Sequence, residues 1–258
     1  MRLMKRILSA AAVLALSASL LVGCSSGTAS SVPVSASSAA ESTVSSVEET
    51  ASSAVDENEA AAAQLLNDLT GSYQELWPVI LADEYKQTWL DDCTALVGED
   101  NAEAAFEKLS SMVTGDVYGE DAVKAYANGG GAYFCGFTNS LVTLTFDGET
   151  STISGTDKDG NVLFSHTYHY IGMEPVRGLY EFQSDDADSG EFTYFFLAPD
   201  TSAETYHIEF RYGSDAEALS QYDTGEYAYW LASGISTDCD QTMIDNCIEL
   251  FCTENLAG

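Results

Sequence analysis

The sequence predicts a mainly β fold with flanking helices, an antiparallel meander that closes into a barrel or sandwich. Three observations predict it. About six short strand-like runs follow one another between Ala132 and Tyr212, eight to fifteen residues apart. Asp147-Gly148 and Asp159-Gly160 supply hairpin signals between them. The segments on either side have helical rather than alternating patterns. Strands this short and regular, in one uninterrupted run, favour a meander over an α/β sheet.

The first residues are not part of that fold. Arg2, Lys5 and Arg6 precede an apolar stretch from Ile7 to Leu21, and Leu21-Val22-Gly23-Cys24 follows. A short apolar core with a basic flank and small residues at its end is the pattern of a signal peptide, here residues 1–23. Cys24 stands where bacteria acylate lipoproteins. Several acyl chains at ~0.8 kcal/mol per buried methylene anchor a protein without a spanning helix. The expected location is the outer face of the bacterial cell membrane, held through Cys24. Residues 24–56 are mostly Ser, Ala, Thr, Val and Glu, with one proline and no aromatic residue. Such a composition cannot bury enough apolar surface to offset its ordering entropy, and is expected to be a tether. Residues 57–258 then form one domain, long enough for a single core.

The folded part opens with helices. Ala60 to Leu69 holds strong helix formers, and Ala82 to Val97 places Tyr85, Trp89 and Leu96 at roughly helical spacing. Asn101 is placed to cap a helix carrying Phe106, Leu109 and Met112. The reading as helix runs to about Ala127, and Gly129-Gly130-Gly131 ends it. Leu141 to Phe146, Thr150 to Ser154, Asn161 to Ile171, Gly178 to Gln183, Glu191 to Leu197 and Thr205 to Tyr212 are the strand candidates. A loop rich in Tyr and Gly follows Gly213. Ser236 or Thr237 then caps a last helix with Met243, Ile244, Cys247, Ile248 and Phe251 in one stripe.

Charge excludes several functions. Three of the nine basic residues precede Cys24, so the rest of the chain carries six against 41 acidic ones, a formal −35. Such a surface repels phosphate backbones and anionic lipid headgroups, which argues against nucleic acid and against membrane contact beyond the anchor. It suits cations. Cys93, Cys135, Cys239, Cys247 and Cys252 show no zinc-knuckle or redox spacing. The last three fall in the predicted final helix, with alpha carbons roughly 12 Å and 8 Å apart, too far to bridge one another. A disulfide must run from that helix to Cys93 or Cys135, and the odd count leaves at least one buried thiol.

Catalytic constellations are missing, so no enzyme is expected. There is no Gly-x-Ser-x-Gly elbow, and the three histidines are His166, His169 and His207. His166 and His169 point to opposite faces of a strand. Asp157 to Asn161 lacks the acids of a calcium loop, with Gly155 and His166 where ligands would stand. His207 and Glu209 differ: two apart on a strand, they share a face about 6.5 Å apart at the backbone. An imidazole nitrogen and a carboxylate oxygen so placed can converge on one zinc. Arg211 shares their face and offers Glu209 an alternative partner.

The order of several short motifs resembles the ZinT family, which also forms the C-terminal domain of AdcA-type zinc-binding lipoproteins. Gly71-Ser72-Tyr73-Gln74-Glu75-Leu76-Trp77-Pro78 resembles that family's Gly-x-Trp-x-Ser-x-Tyr-Pro. Phe146-Asp147-Gly148 and Ser165 to Gly172 resemble its central hairpins, and Leu179 to Phe182 its Tyr-Leu-Phe-Glu strand. Ala198-Pro199, His207-x-Glu209 and Gly213-x-Asp215 follow the order of its Ala-Pro, His-x-His and Gly-x-Asp. The resemblance covers about Leu69 to Leu250 and implies a lipocalin-like (calycin) antiparallel β-barrel with N-terminal helices and a C-terminal helix. It implies binding of zinc or another divalent metal ion, and a metal ABC transporter as a partner in uptake. The family uses three histidines. Here His207 fits the first of the His-x-His pair, Glu209 replaces the second, and Phe195 stands where the third would precede Ala-Pro. The alternative is a barrel that has lost the metal site and holds a small apolar or peptide ligand among its aromatic residues.

Overall fold

A computed structural model of the chain describes residues 57–126 and 131–257. Its centre is a closed eight-stranded antiparallel barrel in simple chain order: β1 (Gly71–Glu75), β2 (Thr143–Asp147), β3 (Thr152–Thr156), β4 (Val162–Met173), β5 (Tyr180–Ser184), β6 (Tyr194–Leu197), β7 (Ile208–Gly213) and β8 (Ala232–Ser236). Each strand pairs with the next, and β8 returns to β1 with Gln74 opposite Ile235. This up-and-down closure is the lipocalin-type solution to the edge-strand problem, since a closed barrel leaves no edge.

The helices are α1 (residues 57–68), α2 (Leu76–Ile80), α3 (Lys86–Val97), α4 (Glu99–Val113), α5 (Glu120–Ala125), α6 (Ser202–Thr205), α7 (Ala216–Leu219) and α8 (Gln241–Leu256). No described helix is long and apolar enough to cross a membrane. The signal peptide, Cys24, the tether, Gly129 and Gly130 lie outside the described residues.

Two cores form, one on each side of the sheet. Inside the barrel, the alternate residues Ile208, Phe210 and Tyr212 of β7 meet Phe164, Phe182 and Phe195. Aromatic rings fill this space: Phe195 stacks on Tyr212 with centroids 5.3 Å apart, and Phe164 on Phe192 at 3.9 Å. Ala62, Leu65 and Leu66 of α1, with Leu69 just beyond it, extend the same core. Outside, α2, α3, α4 and α8 pack Trp77, Trp89, Leu109 and Ile248 against Ile235 of β8. Trp89 is completely buried, and its indole N–H donates to Ile80 O at 2.7 Å.

Two predicted turns are present, for different reasons. Gly160 has φ +78°, which a hairpin tip between β3 and β4 requires. Asp157 accepts from the backbone of Asp159 and Asn161 and from the Asn161 side chain, so both its oxygens serve the turn. Gly148 is needed for space instead. A Cβ there would lie 2.3 Å from Asn67 Cα, because the β2–β3 turn rests on the end of α1. Thr70 Oγ1 accepts the Gly148 N–H at 3.0 Å.

Several expectations require correction. The stretch read as helical to Ala127 is interrupted by β1, whose polar sequence Gly-Ser-Tyr-Gln-Glu buries only Tyr73. The Tyr- and Gly-rich loop contains α7 and β8. Strand β8 is small-residued and covered on both faces, so it shows no alternation. The barrel therefore has eight strands where about six were legible. The seventh begins at Ile208 rather than Thr205, because α6 ends in Tyr206 at φ +64°. The last helix is capped by Asp240, which accepts from Met243 N at 2.9 Å, so Cys239 precedes the helix.

Candidate metal site

The strand parity of β7 sends Ile208 and Phe210 into the barrel and leaves Glu209 outside. His207, one residue before the strand, lies beside it. Tyr206 holds a left-handed backbone conformation that non-glycine residues rarely adopt, and His207 follows directly. Its Nδ1 lies 2.6 Å from the carbonyl oxygen of Thr205. A carbonyl can only accept, so Nδ1 carries a proton, and in the neutral ring the lone pair sits on Nε2. Nε2 is 4.0 Å from Glu209 Oε1. The structure thus brings together the two predicted ligands.

Both residues face a hollow of about 100 Å³ that also receives Asp200, Leu250 and Glu254. The His207 side chain is 20% exposed and that of Glu209 45%, so both reach solvent. Burial pushes the Glu254 carboxyl up, the His207 imidazole pulls it down, and Glu209 and Asp200 push it up again. These responses report four groups that share one field. Cys247 Sγ is 4.0 Å from His207 Nδ1, and burial, with Glu254 and Glu209, pushes that thiol up to about 12. It is a thiol at neutral pH.

The donor set suits a divalent cation but is not closed. Among the described residues, no three His, Cys, Asp or Glu side chains converge tightly enough to hold an ion. His207 and Glu209 supply two donors, and Glu254 and Asp200 line the same hollow. Structural zinc takes four protein ligands, and open sites three.

The other candidates fall elsewhere. Phe195 is fully buried in the barrel, on the opposite side of the sheet from His207 and Glu209. Arg211 does not pair with Glu209. Its guanidinium donates to the carbonyls of Leu219, Gln221 and Tyr227 and stacks on Tyr222. His166 pairs with Asp186 at 2.7 Å and His169 with Asp185 at 2.6 Å, as separate contacts.

Sequence reasoning missed Glu254 and Asp200. A signal for the first existed: Cys247, Leu250, Phe251 and Glu254 fall three, four and seven residues apart, which puts a carboxylate on the apolar stripe of α8. Asp200 sits next to Pro199 in a turn and carries no such mark.

No family model matches the sequence, and no curated protein matches it. Among solved structures, the chain is similar to the Zn(II)-bound ZinT-like domain of Streptococcus pneumoniae AdcA. That likeness has 15% identity and a TM-score of 0.45 over 72% of this chain and 89% of the domain. It is also similar to Zn(II)-bound AdcA from the same organism, with 16% identity and a TM-score of 0.41. There it covers 72% of this chain and 35% of the other, about a third of the length of AdcA.

Proposed function

We propose that this chain is a lipid-anchored extracellular protein that binds a divalent metal ion, zinc foremost, and serves metal uptake. Binding rather than catalysis is its role. The observation that carries the reading is the fixed tautomer of His207, whose Nε2 lone pair faces Glu209 across an open hollow. An imidazole oriented by a hydrogen bond on its other nitrogen is the usual arrangement for a metal ligand. Glu254 of α8 or Asp200 of the β6–α6 turn completes the site when the ion enters. The acidic chain favours arrival of the cation.

Added zinc should raise the thermal midpoint of the chain, because a ligand that binds only the native state stabilises it by about 2.7 kcal/mol at 100 times its Kd. His207→Ala should remove the shift. No shift in the wild type, or an equal one in the variant, would defeat this reading. The anchor is tested separately: Cys24→Ala should release the protein from the membrane fraction or leave its signal peptide uncleaved.

One observation favours a second reading, an apolar-ligand site, though not inside the barrel, where Phe195 and its neighbours occupy the core. Trp77, Val113, Phe134 and Cys135 line a hollow of about 300 Å³ on the barrel's outer side. The buried Trp77 Nε1 has no hydrogen-bond partner there. An indole or fatty acyl probe that displaces no zinc yet quenches Trp fluorescence would support it.

A further inference from the structure

We propose that Cys93 and Cys252 are a disulfide pair that staples α3 to α8. Their sulfurs lie 3.9 Å apart and both residues are completely buried. A disulfide needs about 2.0 Å, so the two sulfurs must approach by roughly 2 Å to form the bond. The other thiols have different neighbours. Cys135 Sγ contacts the Tyr133 carbonyl at 3.8 Å, Cys247 faces His207, and Cys239 lies outside α8. Of the two partners open to the final helix on sequence grounds, the packing selects Cys93.

The seam these helices share also carries a reason for a covalent tie. Asp92 on α3 is pushed up by burial and by Glu249 and Asp245 of α8, so carboxylates oppose one another beside the sulfur pair. Like charges across a helix–helix contact force the two apart. A bond at Cys93–Cys252 holds the contact against that force, two residues from Glu254.

The oxidant is a low-molecular-weight disulfide such as oxidised glutathione. The Cys252 thiolate attacks one of its sulfurs and expels a glutathione thiolate, leaving a mixed disulfide. The Cys93 thiolate then attacks Cys252 Sγ and expels the second. Two protein thiols are oxidised to one disulfide, the glutathione disulfide is reduced to two thiols, and the two protons lost by the protein thiols pass to the expelled glutathione thiolates. Both residues are completely buried in the finished fold and shielded from an external disulfide, so the exchange belongs to folding. In the cell this rests on the exported location proposed above. A refolding test does not, so the two can fail separately.

The reduced, denatured full chain is refolded with oxidised glutathione, alkylated, and cut with a glutamate-specific protease without reductant. The expected product is a peptide pair joined through Cys93 and Cys252, two hydrogens lighter than the free thiols. Reductant should then lower the thermal midpoint by about 5–15 °C. It should leave the midpoint of Cys252→Ala unchanged. The Cys93→Ala variant gives the same readout should Cys252→Ala fail to fold. Full alkylation of Cys93 and Cys252 after refolding, or a bridge from Cys252 to Cys135, would overturn the proposal.

Discussion

His207 is held by Thr205, two residues earlier in the chain: its Nδ1–H donates to that carbonyl oxygen at 2.6 Å. The contact is local, made by the end of α6 and the left-handed turn at Tyr206. It decides which nitrogen faces Glu209, and hence whether this corner of the barrel can take a cation. The neighbouring carboxylates come from afar, Asp200 from the β6–α6 turn and Glu254 from the last helix.

Glu254→Gln keeps the size of the side chain and removes the negative oxygen. Loss of a supporting carboxylate costs roughly 10- to 100-fold in metal affinity. Equilibrium dialysis with zinc should show that loss while the thermal midpoint without metal stays put. Unchanged affinity would remove Glu254 from the site.

Restoring a histidine at position 195 should not restore a three-histidine site. Phe195 stacks within the barrel, on the face away from Glu209. Phe195→His should leave zinc affinity unchanged and destabilise the fold by about 3 kcal/mol, since a polar ring replaces a buried aromatic one. A tighter zinc isotherm in this variant would mean that β6 is oriented differently.

Arg211 is wholly buried and satisfies carbonyls of the segment between β7 and β8. Arg211→Leu strands those acceptors, each worth about 1–3 kcal/mol when buried and unpaired. The urea midpoint should fall by an amount equivalent to about 3 kcal/mol or more. A near-neutral result would show that the segment finds water instead.

Asp92 sets a pH dependence. Burial and the carboxylates of α8 raise its folded pKa above the unfolded value, so the folded chain binds more protons in that interval. Stability contributed at this position is therefore lost as pH rises through the interval. Asp92→Asn should be more stable than wild type at pH 7 by about 0.5 kcal/mol, a value discounted for partial exposure. The gap should shrink as pH falls toward 4. Urea midpoints at the two pH values check this, and a gap that widens on acidification would contradict it.

Strands β2, β3 and β5 were legible because each turns one face to the core and alternates accordingly, as Leu144 and Phe146 do in β2. The strands that close the barrel were not. β1 is too polar, and β8 is buried on both sides by the barrel core and the outer helical core, so neither carries a period of two. The site divides along the same line. His207 and Glu209 are neighbours in sequence and were singled out by spacing, whereas Arg211, offered as a partner for Glu209, binds backbone carbonyls instead. Glu254 comes to them only through the packing of α8 on the barrel, a contact that no local pattern encodes.

Isothermal titration of the full chain with zinc, in parallel with His207→Ala, tests the metal-binding account most directly. The wild type should bind one ion per chain, and His207→Ala should bind none at the same concentrations. Equal heats in the two proteins, or no saturable heat in the wild type, would contradict it.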